Sequence, residues 1–255
     1  MNTTPSTQAP QAIARPALSA EQTLSAPVKR HTTRGALCLL LLLPWAAAGC
    51  KSAPEVRHYQ LNLVDSQRAL AEAGNGRATT TSTETVATGG RVIGVDVLRA
   101  DTAYDDLRIV YRKSPYRVDY YHYHRWSAPP SLMLTDVLRD GLHQTGAFGR
   151  VTSGYGRDVD AVLRGRVVAI EEVDRSATEW EARVVLDLEL ERVATGEVLW
   201  SRTLSQSESV EQLNPEGVTI AASKAMGKII VEMLPELLSA MESGPPGAAF
   251  TTQTP

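Results

Sequence analysis

Val184-Val185-Leu186-Asp187-Leu188-Glu189-Leu190-Glu191 is the stretch on which the reading of the fold turns. Successive side chains of a strand point to opposite faces, so Val184, Leu186, Leu188 and Leu190 share one face and Asp187, Glu189 and Glu191 the other. One apolar and one charged face mark a sheet covered on one side and solvated on the other, as antiparallel sheets commonly are. Flanking runs extend the pattern. Residues 162–173 precede it as a strand, and 198–204 follow it through a turn at Thr195-Gly196. Further upstream, residues 59–63 alternate as a first short strand, and 91–98 predict a strand carrying Val92, Ile93, Val95 and Val97. Residues 107–112 and 116–123 flank Lys113-Ser114-Pro115 as a hairpin.

Helical spacing replaces this alternation twice. After Pro129-Pro130-Ser131, the residues Met133/Leu134, Val137/Leu138 and Leu142 recur at intervals of three and four, and Gly146 closes the run. The second helix opens on Asn214, a good N-cap, and Pro215, which suits a first helical position. Its buried stripe is Val218, Ala222, Ala225/Met226, Ile229/Ile230, Met233 and Leu237, and Pro235 is expected to kink it or end its regular part. Together these elements predict an α+β fold, a mostly antiparallel sheet with two helices packed on one face.

The amino-terminal fifth of the chain follows other rules. Lys29, Arg30 and Arg34 precede the apolar run of residues 36–48, and the run ends in Ala47-Ala48-Gly49-Cys50. A basic region, a short apolar region and small residues form a secretory signal. The run is shorter than the roughly 20 residues of a spanning helix and is interrupted by Pro44. Ala47-Ala48-Gly49-Cys50 resembles the lipobox of bacterial lipoproteins, with Ala47 where Leu is preferred. The expected cleavage lies between Gly49 and Cys50, with lipidation of Cys50 by acyl chains such as palmitate. Each buried methylene adds about 0.8 kcal/mol of membrane affinity, so two or three chains anchor a protein durably. Lys51 follows the anchor, where an Asp retains many lipoproteins in the inner membrane; this favours the outer membrane. Residues 1–27 are rich in Thr, Ala, Pro and Gln and lengthen the n-region well beyond the usual, so translation is expected to start further on, for instance at Val28.

Cysteine and charge exclude whole classes of function. The chain has two cysteines, Cys38 and Cys50. Cys38 leaves with the signal and Cys50 is acylated, so neither a disulfide framework nor a thiolate metal site can form. From Cys50 onward there are 22 basic and 28 acidic side chains, a net of −6, which does not suit a nucleic acid. There is no G-x-S-x-G elbow, no phosphate-binding loop and no H-E-x-x-H; Gly154-Tyr155-Gly156 reads as a turn. No catalytic residue and no cofactor is therefore expected, and any ATP-driven role requires a separate ATPase subunit.

Two local features invite a functional reading and a plainer one. His122 and His124, alternate residues of one strand, could face one ion, but two ligands are too few and the spacing supplies no third. The plainer reading is a tyrosine-rich strand end with histidines at its surface, and no metal. The hairpin also concentrates Tyr111, Tyr116, Tyr120, Tyr121 and Tyr123 with Arg108, Arg112, Lys113, Arg117 and Arg125. Such a composition serves cross-strand pairing in a twisted hairpin, or a contact surface.

The run Leu107-Arg108-Ile109-Val110-Tyr111-Arg112, then residues 117–130 through Arg125-Trp126 and Pro129-Pro130, then Met133, Leu134, Leu138, Leu142 and Gly146-Ala147-Phe148, resembles the ABC-type transport auxiliary lipoproteins, the PqiC group. The likeness covers roughly residues 56–241 and is sharpest at 111–148; the Thr-rich loop 74–90 and the N-terminal extension depart from it. The resemblance implies an auxiliary lipoprotein domain over 57–242; composition adds an extension plus signal (1–49), a lipidated tether (50–56) and a polar, Gly/Pro-containing tail expected to be disordered (243–255). The resemblance also implies a non-enzymatic accessory on the periplasmic side of the outer membrane. Its partner would be an MCE-type periplasmic protein served by separate permease and ATPase subunits, in a system that carries lipids between membranes. A competing reading is a lipoprotein that assembles or plugs an outer-membrane β-barrel. At the junction, Trp126 can bury its ring where the strand ends while Pro129 and Pro130 stiffen the turn, which makes these three structural residues.

Overall fold

The computed structural model describes residues 54–75 and 90–242. Cys50, the expected signal, the N-terminal extension, most of the Thr-rich loop and the tail from 243 lie outside the described residues. The spine of the fold is β7 (Ala161–Ser176), paired antiparallel along its length with β8 (Glu179–Arg192), which pairs antiparallel with β9 (Val198–Ser209). On β7's other edge three strands follow one another in parallel. These are β2 (Val92–Val95) beside 161–163, β3 (Arg99–Ala100) beside 166–167, and β4 (Arg108–Ser114) beside 171–173. From β4 the sheet continues through antiparallel β5 (Arg117–Trp126) to parallel β1 (Arg57–Tyr59), and from β2 to parallel β6 (Arg150–Ser153). The long ladders are antiparallel and the parallel ones are short, so the described residues form a nine-stranded, mostly antiparallel α+β sheet.

One face is covered by α1 (Gln67–Asn75), α2 (Pro130–Thr145) and α3 (Pro215–Glu242). Ala182, Val184, Leu186, Leu188 and Leu190 of β8 are fully buried beneath this layer. Burying a Leu, Ile or Met side chain contributes roughly 1.5–3 kcal/mol, and α3 alone buries Met226, Ile229, Ile230, Met233 and Leu237. Gly141 of α2 lets the two long helices approach, because a Cβ there would stand 2.3 Å from Ile230 Cδ1. The opposite face carries charge: Arg166 bonds Asp101 and Asp187, and Arg164 bonds Glu189 and Glu191.

Several elements differ from the sequence expectation for identifiable reasons. The first strand is residues 57–59, not 59–63. Leu61 and Leu63 are buried, but Asn62 leaves the sheet, its N–H donating to Ser223 Oγ (3.1 Å) and its Oδ1 accepting from Val64 N–H (2.9 Å). In β2 the ladder stops at Val95, and Val97 turns outward to 56% exposure. The hairpin turn is Pro115-Tyr116, with Lys113 and Ser114 still in β4. The helical layer contains α1 besides the two expected helices, and β3 and β6 add short strands that no run of alternation announces. Asn214 Oδ1 does cap α3 by accepting from Gly217 N–H (2.9 Å). Pro235 does not end that helix, which continues to Glu242. Pro235 lies on the exposed side, where the carbonyl it leaves without a donor is near solvent.

Candidate functional site

β4, β7 and the connecting turns meet at one end of the sheet, and this end holds the buried charged side chains of the described residues. Glu171 and Glu172 are consecutive in β7, so they project to opposite faces: Glu171 is in register with Arg183, Glu172 with the core residue Ala182. Both are buried, at 2% and 1% exposure. A buried carboxylate is tolerated only when paired and hydrogen-bonded, or when it keeps its proton.

The two residues solve this problem differently. Glu171 accepts from Arg112 Nε (2.6 Å), from Arg183 Nε (3.0 Å) and from the Tyr104 hydroxyl. Burial pushes its pKa up, but the bonds from Tyr104, Arg112 and Arg183 outweigh burial and hold it below the usual carboxylate range. Burial, then the bond to Glu171, pushes Tyr104 up to about 12. Glu172 has no such cations. Tyr121 donates its hydroxyl at 2.9 and 3.1 Å, and Asp174 stands beside it on the same face. Burial and then Asp174 push Glu172 up to about 8. Asp174 Oδ1 is buried without a hydrogen-bond partner, and this neighbouring carboxylate favours a proton on Glu172. Glu171 is thus a carboxylate at neutral pH and Glu172 a carboxylic acid.

Tyrosines of the hairpin divide by task. Tyr111 and Tyr121 stack tilted at 5.0 Å, Tyr120 carries Arg108 at 4.4 Å over its ring and donates to Ala103 O, and Tyr121 holds Glu172. These three serve the fold. Tyr116 is 97% exposed at the turn, and Tyr123 is 46% exposed. Beside the turn a cleft of about 410 Å³ opens between Lys113-Ser114-Pro115 of one hairpin and Val173-Asp174-Arg175 of the next.

The histidines do not converge. Register jumps from Val110–Tyr120 to Arg108–Arg125, so three extra residues bulge out of β5 and the alternation that would place His122 beside His124 is broken. His124 Nδ1 is hydrogen-bonded to Tyr59 OH (2.9 Å) and its ring meets Tyr121 edge-on, whereas His122 is exposed. Burial, with Arg57 nearby, lowers the His124 pKa. Among the described residues no three His, Cys, Asp or Glu side chains gather as metal ligands.

At the other end of β5, Trp126 is 1% exposed and its backbone N–H donates to Leu107 O (2.6 Å). Pro129 stands at the N-cap of α2 with its carbonyl accepting from Leu132 and Met133 N–H, and Pro130 is the buried first residue of the helix. Gly146 takes a left-handed conformation (φ 66°) at the helix end, where its missing Cβ removes the steric cost. Neither Tyr104 nor Arg183 is marked by any sequence pattern as a partner of Glu171. The readable signal is Glu171-Glu172 themselves, two charges set between Ile170 and Val173 in an apolar strand.

Comparison with known proteins places this architecture. No protein of curated function matches the sequence. A crystal structure of a Xanthomonas campestris protein of the family DUF330 is similar at 22% identity and a TM-score of 0.53, over 60% of this chain and 86% of that one. A second crystal structure, of an uncharacterized protein, is similar at 12% identity and a TM-score of 0.55, over 72% of this chain and 99% of that one. At these identities the likeness shows the fold. The profile of the ABC-type transport auxiliary lipoprotein component matches residues 75–233, which contain the hairpin, the Trp126–Pro130 junction, the buried glutamates and most of α3. The chain belongs to the family of ABC-type transport auxiliary lipoprotein components.

Proposed function

We propose that this protein is a non-enzymatic accessory of an ABC/MCE-type lipid transport system. In this reading it is anchored through acylated Cys50 on the periplasmic side of the outer membrane and binds the system's MCE-type periplasmic protein. The observation that carries the proposal is the family match over residues 75–233 on a chain that also bears Ala47-Ala48-Gly49-Cys50 after a basic and apolar signal. Physically, an anchor confines the domain to a thin layer at the membrane, so modest partner affinity is multiplied by effective concentration. Loss of the anchor then weakens function more than it weakens binding in solution.

The anchor is tested by mass spectrometry of the mature amino terminus. The expected product begins at Cys50 and carries acyl chains, and Cys50→Ser leaves an uncleaved or soluble protein. An unmodified Cys50 in the mature protein would refute it.

A further inference from the structure

The tip of the sheet formed by the β4–β5 and β7–β8 turns sorts its charges by depth. In each ion pair there the carboxylate is buried deeper than the cation. Lys113 is 60% exposed over Asp174 at 14%, Arg175 54% over Glu181 at 25%, and Arg117 69% over Asp119 at 24%. Arg183, at 39%, covers Glu171 at 0%. Elsewhere several pairs run the other way: Asp136 is more exposed than Arg139, Glu197 than Arg192 and Glu211 than Lys224. On a domain whose balance from Cys50 is −6, the ion pairs of this end turn ammonium and guanidinium groups outward, with Glu179 the exposed carboxylate of the β7–β8 turn.

Two features make the tip a surface for contact. Tyr116, 97% exposed at its apex, spends a large aromatic ring on solvent, and exposed aromatics beside arginines are what the centres of interfaces use. The adjoining cleft of about 410 Å³ is wide enough for side chains of a partner. The tip also lies at the opposite end of β5 from β1, the strand by which the chain enters the fold after Cys50. The tip thus points away from the strand by which the described chain enters the sheet, and its outward cations call for an acidic partner.

We infer that the Tyr116 tip and the cleft between Lys113 and Arg175 dock an acidic segment of a partner protein. The partner's carboxylates would meet the outward cations, and an apolar group of the partner would pack on Tyr116. This inference rests on the accessory role proposed above. Complementary charge of this kind raises association rate and selects the partner, and its contribution falls with salt.

The test uses the full chain in its own envelope, with a photo-crosslinking phenylalanine derivative in place of Tyr116 and an affinity tag for recovery. The expected cross-linked peptide belongs to the MCE-type protein and has more Asp and Glu than Lys and Arg. Lys113→Glu with Arg175→Glu should lower its yield at least tenfold. Tyr116→Ala, which disturbs no partner within the fold, should lower co-purification of that protein at least threefold. Cross-links to lipid, to a second copy of this chain or to a basic segment would overturn the inference. So would an MCE-type protein that co-purifies undiminished with the tip variants, and in that case the accessory role stands while the surface is wrong. Failure to recover any MCE-type protein with the unaltered chain would instead remove the role and the inference with it.

Discussion

The two ends of the β4–β5 hairpin are built on opposite principles. At the β1 end, Trp126 is buried in the same core as Leu61 and Leu63, Pro130 is buried too, and the strand passes into α2 through a stiff Pro-Pro turn. At the tip end, a few residues away along the same strands, the buried groups are Glu171, Glu172 and Tyr104, held by Arg112, Arg183 and Tyr121. An apolar end gains stability from every residue it buries. A buried polar end is at best near neutral and becomes costly when one member is lost. The hairpin therefore has one end that holds the domain together and another whose composition stability alone does not explain.

The largest effect belongs to the apolar end. In a soluble chain beginning at Ser52, Trp126→Ala is expected to cost about 3–5 kcal/mol in urea unfolding, enough to unfold a marginal domain. A loss below about 1 kcal/mol would show that the strand-to-helix junction carries no special share of the core.

Next comes Glu171→Gln, which leaves Arg112 and Arg183 without their carboxylate. The expected loss is about 3 kcal/mol by the same measurement, at the low end for a broken buried pair because both arginines reach water. An unchanged midpoint would mean that the arginines are fully served by solvent. Acid should act in the same direction: Glu171's pKa is depressed in the fold, so its contribution is present above its ordinary value and is lost as pH falls through the depressed one.

Glu172 sharpens the contrast with a pH dependence of the opposite sign. Unfolded, it ionises near its ordinary 4.5; folded, it keeps its proton up to about 8. Its stabilising contribution is full below that window and is lost as pH rises through it, at up to about 1.4 kcal/mol per pH unit. Glu172→Gln, which keeps the shape and removes the titration, should flatten this part of the stability profile between pH 5 and 8. A slope identical to that of the unaltered chain would assign the proton to another group.

Much of this contrast was half legible in the sequence. The alternation of residues 184–191, the stripes of α2 and α3 and the Asn214-Pro215 start are local, periodic signals, and the structure carries each of them. Strand alternation also predicted an apolar and a charged face, and both are present. What escaped depends on contacts distant in sequence. Residues 60–63 alternate like a strand but are drawn off by Ser223, 161 residues from Asn62. The Ala-rich segment of α1 has strong helix formers but only Leu70 fully buried, too little for a stripe. The polar site needs Tyr104, Arg112 and Arg183 on three separate elements to meet on Glu171, and nothing in their spacing says so. The tyrosine-rich hairpin could be read as structural or as a contact surface; the fold assigns Tyr111, Tyr120 and Tyr121 to the first and leaves Tyr116 exposed.

Co-purification of the tagged full-length protein from detergent-solubilised envelopes, read by mass spectrometry, tests the accessory role most directly. The expected result is recovery of an MCE-type periplasmic protein together with permease or ATPase subunits, reduced by Cys50→Ser, and a lipid-permeability defect when the protein is deleted. Recovery of an outer-membrane β-barrel without any MCE-type protein would contradict the account and point to barrel assembly instead.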